Sequence, residues 1–274
     1  MLKLSKSVYH YRARKDDRAT EDKVLELALE RPQEGQDKIY ARIRGEGLKW
    51  NYKRVRRVYL KLRLNKRIKL RKRVPARVQE ALVRPELPNE TWSMDFMHDS
   101  LHNGRKFRVL NILDDYNREA LAIEAHLSIG SRLVTDILSE ICRHRGTPAS
   151  IRVDNGPEFI ATALRDWAEQ RQIRLQFIQP GKPCQNGFIE RFNRSYRQGV
   201  LDAYVFENLH EVRVLSEEWM HDYDHRRPHE ALDGKSPIQH RLAHPAVGAC
   251  SHSGVQTPSP LPIFTEQELT LSQS

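Results

Sequence analysis

No run in this chain of 274 residues is long and apolar enough to cross a bilayer, and its start lacks the apolar core of a secretory leader. These absences predict a soluble, cytoplasmic protein with no membrane partner. Cysteine is scarce: Cys142, Cys184 and Cys250 are scattered, with no Cys-x-x-Cys. That argues against a disulfide framework or a zinc site and leaves buried or idle thiols. Acidic residues are missing altogether between Gly47 and Gln79. The resulting charge is lopsided. Residues 1–84 hold 26 Lys/Arg against 10 Asp/Glu, whereas residues 85–274 hold 20 against 26. A basic arm on a mildly acidic body suits a polyanion held by the arm and carboxylate chemistry in the body; the competing reading is a highly soluble surface.

The basic arm carries helix signals. Residues 1–20 read as a polar lead-in with one short helix. Glu21 to Glu30 reads as a helix with Val24, Leu25, Ala28 and Leu29 on one side, broken by Pro32 and Gly35. Asp37 to Glu46 reads as a second, with Ile39 and Ile43 at i, i+4, ended by Gly45 and Gly47. Asn51 is placed to cap a third helix reaching Leu64, with Val55, Val58, Tyr59 and Leu62 as its buried stripe. Arg54, Arg57 and Lys61 then project from the other side, where DNA would lie. Two short helices, a turn with glycine and a basic helix predict a helix-turn-helix over residues 1–65. A helical hairpin with a solvated basic face is the alternative. Residues 66–84 read as a basic linker, with Pro75, Pro85 and Pro88 marking the next boundary.

From Thr91 the apolar period changes to two. Trp92–Asp99, Lys106–Asp114 and Glu119–Ala125 read as successive strands, turned at Gly104 and at Asp115-Tyr116-Asn117. A helix follows over Ser131–Arg143, a strand through Ile151 and Val153, a helix over Pro157–Gln170 and a short strand over Arg174–Ile178. A loop rich in Pro and Gly, Pro180 to Gly187, leads to a helix in which Phe188, Phe192 and Tyr196 recur at i, i+4, i+8. Leu209–Tyr223 reads as one more helix. This order predicts an α/β fold, a mixed sheet with helices on both faces, over residues 85–243. Residues 244–274, rich in Ser, Pro, Thr and Gly, read as a disordered tail.

The stretch Ser150–Arg197 organises the rest. Asp154 falls at a strand end, before the Asn155-Gly156 turn; Pro157 suits the first position of a helix and Glu158 its positive end. After 35 further residues, Glu190 stands in the next helix, with Asn186, Arg194 and Arg197 on its face. Asp-Asn-Gly-x-Glu-Phe, this spacing, then Asn-x-x-x-Glu-Arg-Phe-Asn resembles the catalytic core of retroviral integrases and DDE transposases. Within that group it is most similar to second-frame (OrfB-type) transposases of bacterial insertion sequences. Asp95, in Thr91-Trp92-Ser93-Met94-Asp95-Phe96, matches the pattern's third carboxylate, and Tyr223–His229 with Lys235-Ser236-Pro237 matches its closing segment. The resemblance covers Arg84 to Arg241 and extends to the helical arm. There the family's usual Tyr-Gly-Tyr-Arg-like run is replaced by Gly35-Gln36-Asp37-Lys38.

The resemblance implies a ribonuclease-H-like sheet, preceded by a small all-α helix-turn-helix domain. It implies a polynucleotidyl transferase that cleaves DNA 3′ ends at terminal inverted repeats and joins them to target DNA. Such proteins act as homo-oligomers, often with a DNA-binding partner encoded in an upstream frame, and a bacterial one would associate with the nucleoid while on DNA. Asp95, Asp154 and Glu190 become the catalytic and metal-holding residues, with Asp99 a substitute for Asp95. Clustered carboxylates repel, by about 4 kcal/mol for two unit charges ~4 Å apart at a surface dielectric, so they require a cation. Hard oxygen donors select Mg2+ or Mn2+, and a pair of ions about 3.5–4 Å apart serves phosphoryl transfer. Asn155 reads as a site or DNA contact, or as a turn residue. Lys182, Asn186, Arg194 and Arg197 suit DNA, or in part a solvated face. Asp114 and Asp115 read as turn residues, and His221 with His225 as a surface pair. A nuclease of the same fold, or an inactive truncated copy that still binds DNA, remain the alternatives.

Overall fold

The computed structural model describes residues 16–65, 84–178 and 186–244. The expectations for the lead-in up to residue 15, for residues 66–83, for Lys182 and its loop, and for the tail from residue 245 lie outside these. The chain divides into two units, Met1–Lys72 and Arg73–Ser274.

Among the described residues the first unit holds three helices, α1 (Arg18–Glu30), α2 (Gln36–Gly45) and α3 (Tyr52–Lys61). The Asn51 side chain accepts the Lys53 N–H at 2.8 Å and so caps α3. Gly47, at φ 85°, turns the chain between α2 and α3 in a conformation that suits glycine. Val24, Leu27, Ile39, Ile43, Val55, Val58 and Tyr59 form one apolar core. The buried stripe of α1 differs from the expected one. Thr20, Val24 and Leu27 are buried, at i, i+4, i+7, while Leu25 and Leu29 are 41% and 73% exposed. One helical face points at α2 and α3, and Leu25 and Leu29 lie off it.

The second unit is built on a five-stranded sheet in the order β3-β2-β1-β4-β5. Its strands are β1 (Thr91–Ser100), β2 (Lys106–Asp114), β3 (Ala120–His126), β4 (Ser150–Val153) and β5 (Arg174–Phe177). The first three form an antiparallel meander; β4 runs parallel to β1 and β5 parallel to β4. Helices cover both faces. Against one face, Met94, Leu110, Ile112 and Ile151 pack with residues of α4 (Ser131–Arg145) and α6 (Thr162–Gln170). Against the other, Met97, Phe107 and Val109 pack with Tyr196, at the end of α7 (Gly187–Tyr196), and with Val212 of α8 (Leu209–His225). A π-helical turn, Arg197–Leu201, follows α7, and α9 (Pro237–Ala243) lies near the end of the described chain.

The helix expected over Pro157–Gln170 is two: α5 (Pro157–Ile160), then α6, with Ala161 extended at ψ 142° between them. In one continuous helix Phe159 and Leu164, five positions apart, would point about 140° from each other at 3.6 residues per turn. The break lets both bury completely. At the β2–β3 turn, Asp114 and Asp115 are buried. Asp114 accepts the N–H groups of Asn89 and Tyr116, each at 2.9 Å; Asp115 accepts from Ser93 and from Arg152. Both are structural residues of the turn. Among the described residues no helix is long and apolar enough to cross a membrane.

Candidate active site

Strand β1, at the centre of the sheet, presents Asp95 on the face covered by α7. Its parallel pairing with β4 runs Thr91 to Ser93 against Ser150 to Arg152. Continuing that register by two residues sets Asp154 beside Asp95. Here β4 ends and the chain turns, so Asp154 is exposed while Asp95 is half-buried. Asp154 Oδ1 accepts the Gly156 N–H at 2.9 Å. A Cβ on Gly156 would stand 2.9 Å from that same oxygen, so a side chain there would oblige the Asp154 carboxylate to shift. The Asn155 amide donates to the Ile178 carbonyl at 3.0 Å and ties the turn to the chain just past β5.

Glu190 lies exposed in the first turn of α7. Three residues on, one helical turn along the same side, Asn193 donates from Nδ2 to Asp95 Oδ2 at 2.8 Å. This bond docks the Glu190 turn against Asp95. The other Asp95 oxygen accepts the Phe96 N–H at 2.8 Å. The Asp95 carboxyl is pushed up to about 6, chiefly by burial and further by the negative charges of Asp154 and Glu190; its two hydrogen bonds work the other way. Among the described residues none of the three carboxylates is ion-paired, and no three Asp, Glu, His or Cys side chains as they stand are grouped to hold a metal ion.

Asp99, four residues beyond Asp95, accepts from Arg197 at 3.2 Å, and Arg197 also donates to the His98 carbonyl at 2.9 Å. The pair occupies the outer end of β1. Arg194 is exposed and without an ion pair to any described residue, whereas Asn186 is buried, away from the exposed face expected for it. It stands at the N-cap of α7, and its Oδ1 has no hydrogen-bond partner among the described residues. Glu158 takes no place with the three carboxylates. Arg108, from β2, pairs with it and holds its carboxyl below the usual range. The Arg108 guanidinium also lies 4.2 Å from the centre of the Phe96 ring, and Phe96 stacks on Phe159 at 4.8 Å.

In the helical unit, the three cations expected to face DNA all have acidic partners. Arg54 and Arg57 both pair with Asp17, at 3.1 and 2.5 Å, and Lys61 pairs with Glu21 at 2.5 Å. The neighbouring Lys53 and Arg56 are exposed and have no such partner among the described residues.

Comparison with known proteins shows the family. Models of the integrase core domain match residues 85–183 and 171–237. A 31.7 kDa protein of insertion element IS407 from Burkholderia multivorans is 36% identical over 249 residues, which are 90% of each chain. A 39.2 kDa protein of insertion element IS476 from Xanthomonas euvesicatoria is 33% identical over 79% of this chain and 63% of its own length. A chain of the simian T-cell lymphotropic virus intasome shares the fold, with a TM-score of 0.53 at 18% identity, over 86% of this chain and 80% of that one. The five-stranded sheet is therefore of the ribonuclease-H-like type, and the chain belongs to the insertion-sequence transposases with a retroviral-integrase-like catalytic core, proteins of DNA integration.

Proposed function

We propose that Asp95, Asp154 and Glu190 are the catalytic unit of a DDE transposase, and that they hold Mg2+ or Mn2+. The observation that carries this reading is geometric: the parallel register of β1 and β4 sets Asp154 beside Asp95, and Asn193, one turn past Glu190, donates to Asp95. The negative charges of Asp154 and Glu190 both raise the Asp95 carboxyl, and among the described residues none of the three is ion-paired. Carboxylate oxygens suit a hard divalent cation, although these three side chains as they stand are not grouped to hold one. A pair of such ions, when bound, supplies activation of a water or a DNA 3′-hydroxyl and stabilisation of the leaving oxygen. The chain's own part is placement. The sheet register brings Asp154 to Asp95, Asn193 holds the Asp95 carboxylate, and α7 brings Glu190 to the same edge.

On this reading the protein cleaves the 3′ ends of its element at the terminal inverted repeats and transfers them to target DNA by direct transesterification. Arg194, exposed one helical turn past Glu190, suits DNA phosphates. So does Lys182, which precedes α7 in the sequence. The three-helix unit acts as a helix-turn-helix, residues 66–84 as a linker along the backbone of the DNA, and residues 85–243 as the catalytic core. The working form is a homo-oligomer on paired ends, with an upstream-frame protein as a further DNA-binding partner.

Glu190→Gln tests the reading. It keeps the shape of the side chain and removes the charge that would hold a cation. Binding to end-labelled terminal-repeat DNA is expected to persist, while Mg2+-dependent nicking and strand joining both fall to background. Near-normal joining by the variant overturns the role of Glu190, and joining without any divalent metal overturns the mechanism.

A further inference from the structure

Strand β2 carries one amide inside its apolar run: Asn111, between Leu110 and Ile112, fully buried, and paired in register opposite Asp95. Its Nδ2 donates to Asn193 Oδ1 at 2.7 Å and lies 3.2 Å from Met97 Sδ. Its own Oδ1 has no hydrogen-bond partner among the described residues. A buried amide with an unpaired carbonyl oxygen costs folding free energy that leucine at the same place would not. What the amide supplies in return is direction.

The amide of Asn193 can in principle sit either way round. One way, its N–H donates to Asp95; the other way, its carbonyl oxygen faces the Asp95 carboxylate and repels it. Asn111 decides between them, because its N–H requires an acceptor and takes Asn193 Oδ1. Asn111 is in turn oriented by Met97, whose sulfur is an acceptor only and faces the same Nδ2. Asn111 Nδ2 thus donates on one side to Met97 Sδ and on the other to Asn193 Oδ1, and Asn193 Nδ2 passes the same donor sense on to Asp95 Oδ2.

We propose that Asn111 is a positioning residue for the catalytic centre: acting through Asn193, it holds the Asp95 carboxylate in the one orientation that presents it for a divalent cation. The proposal rests on the reading of Asp95 as a metal-holding carboxylate. Asn111 touches neither DNA nor metal. Its contribution lies in removing the wrong orientation of a neighbour, as hydrogen-bond partners behind a ligand do in metal sites generally.

The test is Mn2+ binding by calorimetry on the full chain, without DNA, with thermal unfolding as the control for folding. Asp95→Asn is expected to abolish the Asp95-dependent binding. Asn111→Leu is expected to weaken binding roughly 10- to 100-fold; leucine removes the unpaired Asn111 Oδ1 but takes the donor from Asn193 Oδ1, so binding is compared at a temperature where the unfolding curve shows the variant folded. Asn193→Leu breaks the same link from the helix and serves if Asn111→Leu does not fold. Because Asn111 acts only through Asn193, the double variant is expected to bind no more weakly than Asn193→Leu alone. Wild-type affinity in Asn111→Leu, or a double variant that loses the product of the two single effects, overturns the proposal. Wild-type protein with no Asp95-dependent Mn2+ binding overturns the reading of the carboxylates and the proposal together.

Discussion

Gly156 leaves Asp154 its position: a methyl group on Gly156 would stand 2.9 Å from Asp154 Oδ1, the oxygen that accepts the Gly156 N–H. The backbone there, at φ −62°, ψ 148°, is open to any residue, so the constraint is spatial and not conformational. Gly156→Ala is expected to displace the Asp154 carboxylate and lower strand joining by about tenfold or more, as small misplacements of catalytic groups do. Thermal unfolding should shift little. Unchanged joining in a quantitative end-transfer assay would show that the Asp154 orientation seen here is not the working one.

Glu158 and Glu190 provide a matched contrast. Both lie within the motifs that mark the site, but among the described residues only Glu158 has a cationic partner, Arg108. Glu158→Gln is expected to cost about 1–3 kcal/mol of stability, because a partly buried guanidinium loses its counter-charge. Joining at a permissive temperature should stay within about tenfold of wild type, against background for Glu190→Gln. Equal loss in the two variants would place Glu158 in the catalytic unit.

DNA affinity in the helical unit should follow the cations without acidic partners. Arg56→Ala is expected to reduce the salt dependence of binding by about one unit of slope if Arg56 meets a phosphate, or to cost ~1–3 kcal/mol at one base position if it reads an edge. Arg57→Ala should cost less, since Asp17 already claims that guanidinium at 2.5 Å. Asp17→Asn frees both Arg54 and Arg57 and should tighten non-specific binding and steepen its salt dependence. A salt titration by fluorescence anisotropy checks all three, and the reverse ranking of Arg56 and Arg57 would restore the paired face as the DNA surface.

Stability should also depend on pH through Asp114. Burial pushes its carboxyl up to about 6, above the ordinary 3.8, despite the N–H groups of Asn89 and Tyr116. A folded-state value above the unfolded one means that the fold favours the protonated form. The contribution is fully present below about pH 4 and is lost as pH rises through about 6. Asp114→Asn lacks this titration. Its stability relative to wild type should therefore shift in its favour by on the order of 2–3 kcal/mol between pH 4 and pH 8, on top of a constant loss from one poorer hydrogen bond. Urea unfolding at the two pH values measures it, and a difference independent of pH would contradict the assignment.

What the sequence determined by itself is what short-range periodicity can carry. Alternation marked the strands around Asp95 and Ile151, turn residues marked Gly104 and Asn155-Gly156, and the i, i+4 spacing of apolar residues marked the helices around Ile39, Val55 and Phe192. These signals are local because the backbone period and the cap chemistry are local. The motif spacing then pointed to Asp95, Asp154 and Glu190 without any fold. Tertiary structure decided the partners. Arg54, Arg57 and Lys61 look like a free basic face in sequence, yet Asp17 and Glu21 stand on a different helix and face them only once the three helices pack. Glu158 meets Arg108 from 50 residues away, and Asn193 reaches Asp95 across 98. Asn111 was visible as a polar residue in an apolar strand, but its role depends on β2 lying beside β1 and under α7. Such contacts are set by strand order and helix docking, which bring together residues distant in sequence, and no local pattern records which distant residue will be the neighbour.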